Sequence, residues 1–492
     1  MGKDVAAREF TGEDRRIYRE KVRRCLDAFA RMLRDAQFDV ERPLTGLEIE
    51  LNLVDDDFSP AHVNADALAS IADPRFQTEL GQFNIEINVP PRVLAAGGFA
   101  GFEDTIRTSL NTANRSAADA KAQMVMIGIL PTLMPEHVTA DAISANPRYA
   151  LLNNQIFAAR GEDLHIEIGG KERLSLVADS ITPEGACTSV QAHVQVGPEA
   201  FASYWNAAQA IAGIQLAVGA NSPYLFGKRL WHETRIPLFV QATDPRPVEL
   251  KAQGMRPRVW FGDSWITSVF DLFEDNVRYF PALLPICEDD DPLAILDEGK
   301  TPNLDELTLH NGTIYRWNRP IYAVVDGKPH LRVENRVLPA GPTVVDVLAN
   351  VAFFFGLTRT LAEAERPIWT QMSFSAAKEN FEIAARDGIG AMAYWPGVGR
   401  VRATELVLRL LLPMAHEGLE RWGVDADERE RLLGIIEQRC VTGQTGATWQ
   451  TAVVDEIEQH SGADRSSALS EMLRRYCAQM HTNEPVHTWP LT

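Results

Sequence analysis

The chain is 492 residues long, and at roughly 100–200 residues per domain it has room for two or three domains, or for one large catalytic domain with an appendage. With 45% hydrophobic, 23% charged and 8% aromatic residues its composition is that of a folded globular chain, which excludes a largely disordered or collagen-like protein. Lys and Arg number 48 against 67 Asp and Glu, a net charge of −19, and a surface that acidic repels phosphate backbones and anionic lipid headgroups, so nucleic acids and membranes are not expected partners.

The N-terminal stretch MGKDVAAREF carries charges where a secretory signal needs an apolar segment. The five cysteines, an odd number without a C-x-x-C pair, argue against a disulfide framework or a zinc ribbon. A cytoplasmic location with reduced thiols is expected. Thr11 followed by Gly-Glu-Asp14 is a capping signal, and Ile17, Val22, Leu26, Phe29 and Leu33 recur at helical spacing, which predicts a helix over about 12–36. From about 44 to 400, short alternating strands mix with helical segments without a dividing linker, so residues 1–400 read as one α+β catalytic domain. Within it, Leu164–Ile168 reads as a half-exposed hairpin strand, and the acidic stretch from Cys287 to Pro302 as a solvated connection, with a mobile loop as the alternative. The most apolar run, Val351–Leu357, is far short of the roughly 20 residues that span a bilayer. Beyond 400 the strand signal ends; Thr404–Trp422, Glu428–Arg439 and Ser466–Met480 read as helices, making 401–492 a helical subdomain.

Four strands share one design. In Leu47–Leu53 the period of two sets Glu48, Glu50 and Asn52 on one face and aliphatic residues on the other. The segment Gln82–Val89 sets Gln82, Asn84, Glu86 and Asn88 against Phe83, Ile85, Ile87 and Val89. Val190–Val196 presents Gln191, His193 and Gln195, and Leu331–Val337 presents Arg332, Glu334 and Arg336. A half-solvated strand alternates in the same way, but these faces gather Glu, Asn, Gln, His and Arg, which coordinate hard cations or grip phosphates and carboxylates. If the strands line one concave sheet, Glu48, Glu50, Glu86 and Glu334 converge, and carboxylates so close require cations between them. That suits Mg²⁺ or Mn²⁺ bridging nucleotide phosphates. There is no G-x-x-x-x-G-K-[ST] loop, no G-x-G-x-x-G that follows a strand and opens a helix, and no G-x-S-x-G elbow, so a nucleotide would be held by metals and arginines.

The strand Glu48-Ile49-Glu50, Glu79 seven residues before Glu86 with Pro90-Pro91, Thr188-Ser189-Val190-Gln191, Ala220-Asn221-Ser222-Pro223 and Arg332-Val333-Glu334-Asn335-Arg336 follow one another in an order that resembles glutamate–cysteine ligases of family 2. These belong to the glutamine synthetase superfamily of carboxylate–amine ligases. The resemblance covers roughly residues 44–400 and implies a curved antiparallel sheet with a polar concave face, backed by helices. It also implies ATP-dependent ligation: the γ-phosphate of ATP activates a carboxylate, classically the side chain of glutamate, and an amino-acid amine displaces phosphate to leave an amide. On that reading Glu79 joins Glu48, Glu50, Glu86 and Glu334 around Mg²⁺ or Mn²⁺. Arg336 and Arg316 are candidates to stabilise the transferring phosphoryl group, Arg235 to clamp a substrate carboxylate, and Gln191, His193 and Arg319 to contact the nucleotide. Glutamine synthetases carry two histidines at i and i+2 where this chain has Gln191 and His193, which puts direct metal contact at that strand in question. Phosphotransfer as in guanidino kinases, or a different donor and acceptor pair, are the alternative readings. A homo-oligomer remains open, but the chain begins with a helix instead of the small β-rich domain of glutamine synthetases, so their ring is not implied.

Overall fold

The structure, a computed structural model, describes residues 9–35, 37–40 and 43–492. The charged residues 1–8 and residue 36, the expected end of the first helix, lie outside the described residues. Helix α1 (Gly12–Arg34) starts where the capping signal stands, with the Thr11 side chain accepting from the Asp14 N–H and the Asp14 carboxylate accepting from the Thr11 N–H. Its basic face holds the acidic stretch read as a solvated connection or a mobile loop: Arg24 pairs with Asp291, Arg31 with Asp297, and Lys21 donates to the carbonyls of Glu288 and Asp290. Part of that stretch, Pro292–Asp297, is itself helical, because Asp291 caps it and Pro292 opens it.

The central sheet has seven strands: β1 (Leu44–Val54), β2 (Phe76–Thr78), β3 (Asn84–Val93), β4 (Gln123–Val125), β5 (Val190–Gln195), β6 (Asn318–Val325) and β7 (Lys328–Asn335). Their order is β6-β7-β5-β1-β3-β2, with β4 pairing the end of β1, and every pair is antiparallel. The four strands of the shared design are thus consecutive in the sheet, and the sheet curls into an open half-barrel. The alternation works as expected: Leu47, Ile49, Leu51, Ile85, Ile87, Val190, Ala192, Val194, Leu331 and Val333 are buried on the convex side.

Two helices cover that side, α2 (Pro198–Gly219) and α3 (Val344–Ala362). The apolar run around Phe353–Phe355 is the middle of α3, which is long and apolar enough to cross a membrane but is buried within the protein. A helix enclosed on all sides needs no polar face. Helix α2 is instead fixed by buried amides. Asn318 Nδ2 donates to Gln209 Oε1 at 2.6 Å, Asn335 Nδ2 to Asn318 Oδ1 at 2.7 Å, and Gln215 and Asn335 exchange bonds at 3.2 Å. Each satisfied amide sets the register of α2 beneath β6 and β7, since an unpaired one would lose about 1–3 kcal/mol. The hairpin of Leu164–Gly169 with Arg173–Ala178 alternates buried and exposed residues, as the sequence predicts.

After the hairpin Met392–Trp395/Gly399–Arg402 the chain is helical. The first helical run, Ala403–Arg421, loosens into a π turn at Val407–Leu411, where Pro413 has no N–H to offer the Arg409 carbonyl. Helices α4 (Ala426–Thr442), α5 (Gly446–Ser461) and α6 (Arg465–Thr482) follow. The pattern did not reveal α5, whose Gly446, Thr448, Thr451, Val453 and Val454 are weak helix formers; the packing of Trp449 against Tyr476 and Trp489 favours it instead. These helices share the core of the sheet domain. Tyr476 donates to the Met126 carbonyl and accepts from Asn221 Nδ2, both at 2.9 Å. Arg439 of α4 is buried and bonds Asp346 Oδ1 at 2.7 Å, Asn350 Oδ1 at 2.6 Å and the Val218 carbonyl at 3.1 Å. Asp346 also accepts from Thr343 and from the Val486 N–H. Arg439→Met strands this buried carboxylate and should lower stability by about 3–5 kcal/mol, read as a reduced urea midpoint; a loss below about 1 kcal/mol would contradict the brace.

Candidate active site

Strand register brings the polar residues together on the concave face. Glu50 lies opposite Glu86 across β1 and β3, Glu86 opposite Gln77 of β2, and Glu48 opposite both Asn88 and Gln191. On the other wing His193 lies opposite Glu334, and Glu334 opposite Arg319. Glu79, one residue beyond β2, turns into the same space. Two groups result, each with its ligand atoms within 4.8 Å of one another: Glu50, Glu79 and Glu86, and Glu48, His193 and Glu334.

The two groups differ electrostatically. The second is bordered by positive charge. Arg319 grips Glu334 through Nε at 2.5 Å and Nη2 at 3.0 Å, and Arg336 Nη1 stands 3.7 Å from the same carboxylate. Burial works to raise the Glu334 carboxyl, but Arg319 and Arg336 outweigh it and hold it well below the usual range. Burial likewise opposes ionisation of Glu48, and the neighbouring His193 overrides it, bringing Glu48 down to about 2. Arg332 Nε donates to His193 Nδ1 at 3.1 Å, so a neutral ring carries its proton on Nε2. That Nε2 is buried between Glu48, at 3.1 Å, and Glu334, at 4.0 Å, yet has no aligned hydrogen-bond partner.

In the first group Glu50 accepts from the Ser189 N–H at 2.5 Å and from Gln191 Nε2 at 2.9 Å, and Glu86 from Asn88 Nδ2 at 2.9 Å. Among the described residues no cationic side chain forms an ion pair with the trio. Burial raises all three carboxyls, and mutual repulsion adds to it for Glu79, which reaches about 8, and for Glu86. The charge of Arg336 is felt at Glu50 and Glu79 but does not offset burial, and three carboxylates facing one another with no paired cation among the described residues form a donor set that fits a hard divalent ion. Gln191 links the groups: its Nε2 bonds Glu50, and its Oε1 accepts from Arg336 Nη1 at 2.5 Å.

The groups open into a cleft of two adjoining lobes. One, of about 230 Å³, includes Glu48, Glu50, Glu79, Glu86 and Arg336; the other, of about 330 Å³, includes Asp305, Thr308, Arg332 and Glu334. Arg148, Gly312 and Arg319 border both.

Two expected residues stand elsewhere. Arg316 bonds Asn276 Oδ1 at 3.1 and 3.3 Å and lies over the Trp260 ring, 4.7 Å from its centroid. It occupies a two-residue strand with Tyr315, and since neighbours on a strand face opposite ways, Tyr315 takes the cleft and Arg316 the far side. Arg235 does not border the cleft either. Its guanidinium pairs with Glu233 at 3.1 Å and donates to the Val337 carbonyl at 2.5 Å and the Arg336 carbonyl at 3.5 Å, so it braces the segment that carries Arg336. Conversely, Arg148, Tyr149, Glu184 and Tyr315 line the cleft without having been singled out from the sequence. Only Asn146-Pro147, a cap and a first-turn proline, marks the helix that presents Arg148.

A curled antiparallel sheet whose concave face gathers carboxylates, backed by helices and lacking a glycine-rich phosphate loop, defines a ligase of the carboxylate–amine class. The chain belongs to the glutamate–cysteine ligase family 2, whose profile matches residues 44–472. No curated protein matches it. Among solved structures, the glutamate–cysteine ligase of Francisella tularensis in complex with AMP is similar, with a TM-score of 0.52 at 12% identity over 93% of this chain and 91% of that one. A bifunctional glutathione synthetase from Pasteurella multocida is also similar, with a TM-score of 0.50 at 12% identity, covering 93% of this chain and 55% of that longer one. At such identities the likeness is one of fold.

The carboxyls of Glu50, Glu79 and Glu86 bind protons more tightly folded than unfolded, where the value is 4.5. Their contribution to stability is complete below 4.5 and is lost as pH rises through their raised folded values, about 8 for Glu79. Glu48 and Glu334 act oppositely, and their contribution is lost only in acid below 4.5. Stripped of divalent ions, the protein should therefore melt at lower temperature at about pH 8.5 than at about pH 5.5, and Mg²⁺ or Mn²⁺ should restore more at the higher pH. A melting temperature independent of both pH and metal in scanning fluorimetry would count against the cage.

Proposed function

We propose that this protein is an ATP-dependent, glutamate–cysteine ligase-like carboxylate–amine ligase, which activates a glutamate side-chain carboxylate as its acyl phosphate and joins it to an amino-acid amine. The observation that carries the reading is the pair of carboxylate groups side by side on one concave face, bridged by Gln191 and Arg336. A carboxylate attacking a polyphosphate is an anion meeting an anion, and such a reaction needs fixed positive charge where charge develops. Glu50, Glu79 and Glu86, and Glu48 with Glu334, would hold Mg²⁺ or Mn²⁺, which when bound offsets phosphate charge and aligns the reacting oxygens.

The chain's own groups do the rest. Arg336 keeps donors free beyond its bond to Gln191 and faces the transferring phosphoryl group; Arg319 fixes Glu334, and Arg332 fixes the His193 ring, whose N–H is offered to an anionic oxygen. The substrate carboxylate attacks the γ-phosphorus and ADP leaves; the amine nitrogen then attacks the acyl carbon, the bond to phosphate oxygen breaks, and the ammonium proton passes to solvent or a nearby base. The reading includes a cytoplasmic location, small-molecule partners only, and residues 401–492 as a helical buttress to a catalytic unit in 1–400.

Incubation with ATP, Mg²⁺ and paired amino acids should yield ADP, phosphate and an amide detectable by mass spectrometry; a phosphorylated substrate without amide would point to phosphotransfer instead. Glu50→Gln and Glu334→Gln should each lower kcat/KM on the order of 100-fold or more, about 3 kcal/mol of transition-state stabilisation. Full activity in both would remove the proposed cage.

A further inference from the structure

Two charged side chains in the smaller lobe take part in none of these arrangements. Glu184 sits in the short turn Thr182–Ala186, and its carboxylate makes no hydrogen bond or ion pair among the described residues and belongs to neither carboxylate group. Arg148 lies in the first turn of the helix Pro147–Arg160, where Asn146 caps its backbone N–H. Its guanidinium likewise has no hydrogen bond or ion pair among the described residues, whereas Arg319 and Arg336 are committed to Glu334 and Gln191. Both side chains border the same cavity, and the charges of both are felt at the rings of Tyr149 and Tyr315 that stand in its wall.

Burial and Glu50 push the Glu184 carboxyl up to about 8, so it ionises when a cation reaches it, and with Arg148 on the wall of the same cavity it is left for a ligand carrying both signs. Glu184 also feels the charge of Glu50, so a cation held by Glu184 stands beside the group where the acyl phosphate is to form, the place from which an amine has to attack. We propose that Glu184 and Arg148 together bind the head group of the amino acid that supplies the amine, Glu184 taking its ammonium and Arg148 its carboxylate. The proposal rests on the ligase reading and deepens it by assigning two residues of this chain to the acceptor's head group. A planar guanidinium accepts a carboxylate through two parallel bonds, and losing either partner of such a desolvated pair is expensive.

The test uses the full-length protein with L-glutamate, ATP and Mg²⁺, and compares L-cysteine with cysteamine, which lacks the carboxylate; if the amide screen returns another acceptor, that amino acid and its decarboxylated amine replace them. Wild-type protein should prefer the amino acid on the order of 100-fold in kcat/KM, and Arg148→Ala should shrink that preference to below about tenfold, with Arg148→Lys recovering part of it. Glu184→Gln should raise the acceptor KM at least ~tenfold, with Glu184→Asp affected less and the KM values of ATP and glutamate changed by less than about threefold. An acceptor KM unmoved in folded variants, a rise confined to ATP or glutamate, or a wild-type protein that uses cysteamine as well as cysteine would overturn it. Should no amino-acid pair yield ADP, the ligase reading fails separately. The site is then read by thermal shift of the wild-type protein: stabilisation by L-amino acids and not by their decarboxylated amines supports the head-group site, and no stabilisation by any overturns it.

Discussion

Glu48, Glu50, Glu79, Glu86, Glu184 and Glu334 line one cleft, and the repulsion among buried carboxylates is the constraint to which the surroundings respond. The protein meets it in two ways. On one wing it supplies its own partners: Arg319 and Arg336 hold Glu334 ionised, and the neighbouring His193 favours the ionised form of Glu48. On the other it pairs Glu50, Glu79 and Glu86 with no cation among the described residues, and the more distant charge of Arg336 does not offset their burial, so their carboxyls are raised. On the proposed function, a cleft divided in this way would bring metal-bound phosphates against a carboxylate.

Holding such a face requires a rigid back. The apolar residues of the strands pack on α2 and α3, and the amide chain from Gln209 through Asn318 and Asn335 to Gln215 prevents α2 from sliding under the wing that carries Glu334. Arg235 grips the backbone at Arg336 and Val337, and Arg439 ties the C-terminal helices to α2 and α3 through Val218, Asp346 and Asn350. Buried arginines bonded to carbonyls and carboxylates act here as fasteners, a use in which their full set of donors counts for more than their charge.

The net charge of −19 also reads differently once the cleft is known. As a global quantity it disfavours long polyanions. Locally, six of the acidic residues are concentrated where arginines stand opposite them, and where divalent ions would reverse their sign, which makes the acidity compatible with one phosphate-bearing ligand.

The sequence by itself determined the sheet's inner face. Side chains on a strand alternate strictly, so Glu48, Glu50, Glu86, His193 and Glu334 were readable as one face's polar set before any contact was known, and antiparallel pairing then set them opposite one another. The same rule explains the misplacement of Arg316: the two-residue strand that turns it away from the cleft could not be recognised without its partner Val259–Trp260. Tertiary structure alone decided everything that reaches the cleft from turns and helix ends. Glu184 comes from a 3₁₀ turn, Arg148 from a helix N-terminus and Tyr315 from a strand too short to show a period. Arg235 was drawn inward to the backbone carbonyls of Arg336 and Val337. Such segments have no periodicity to fix their direction, and where their side chains point follows from the packing of elements distant in sequence.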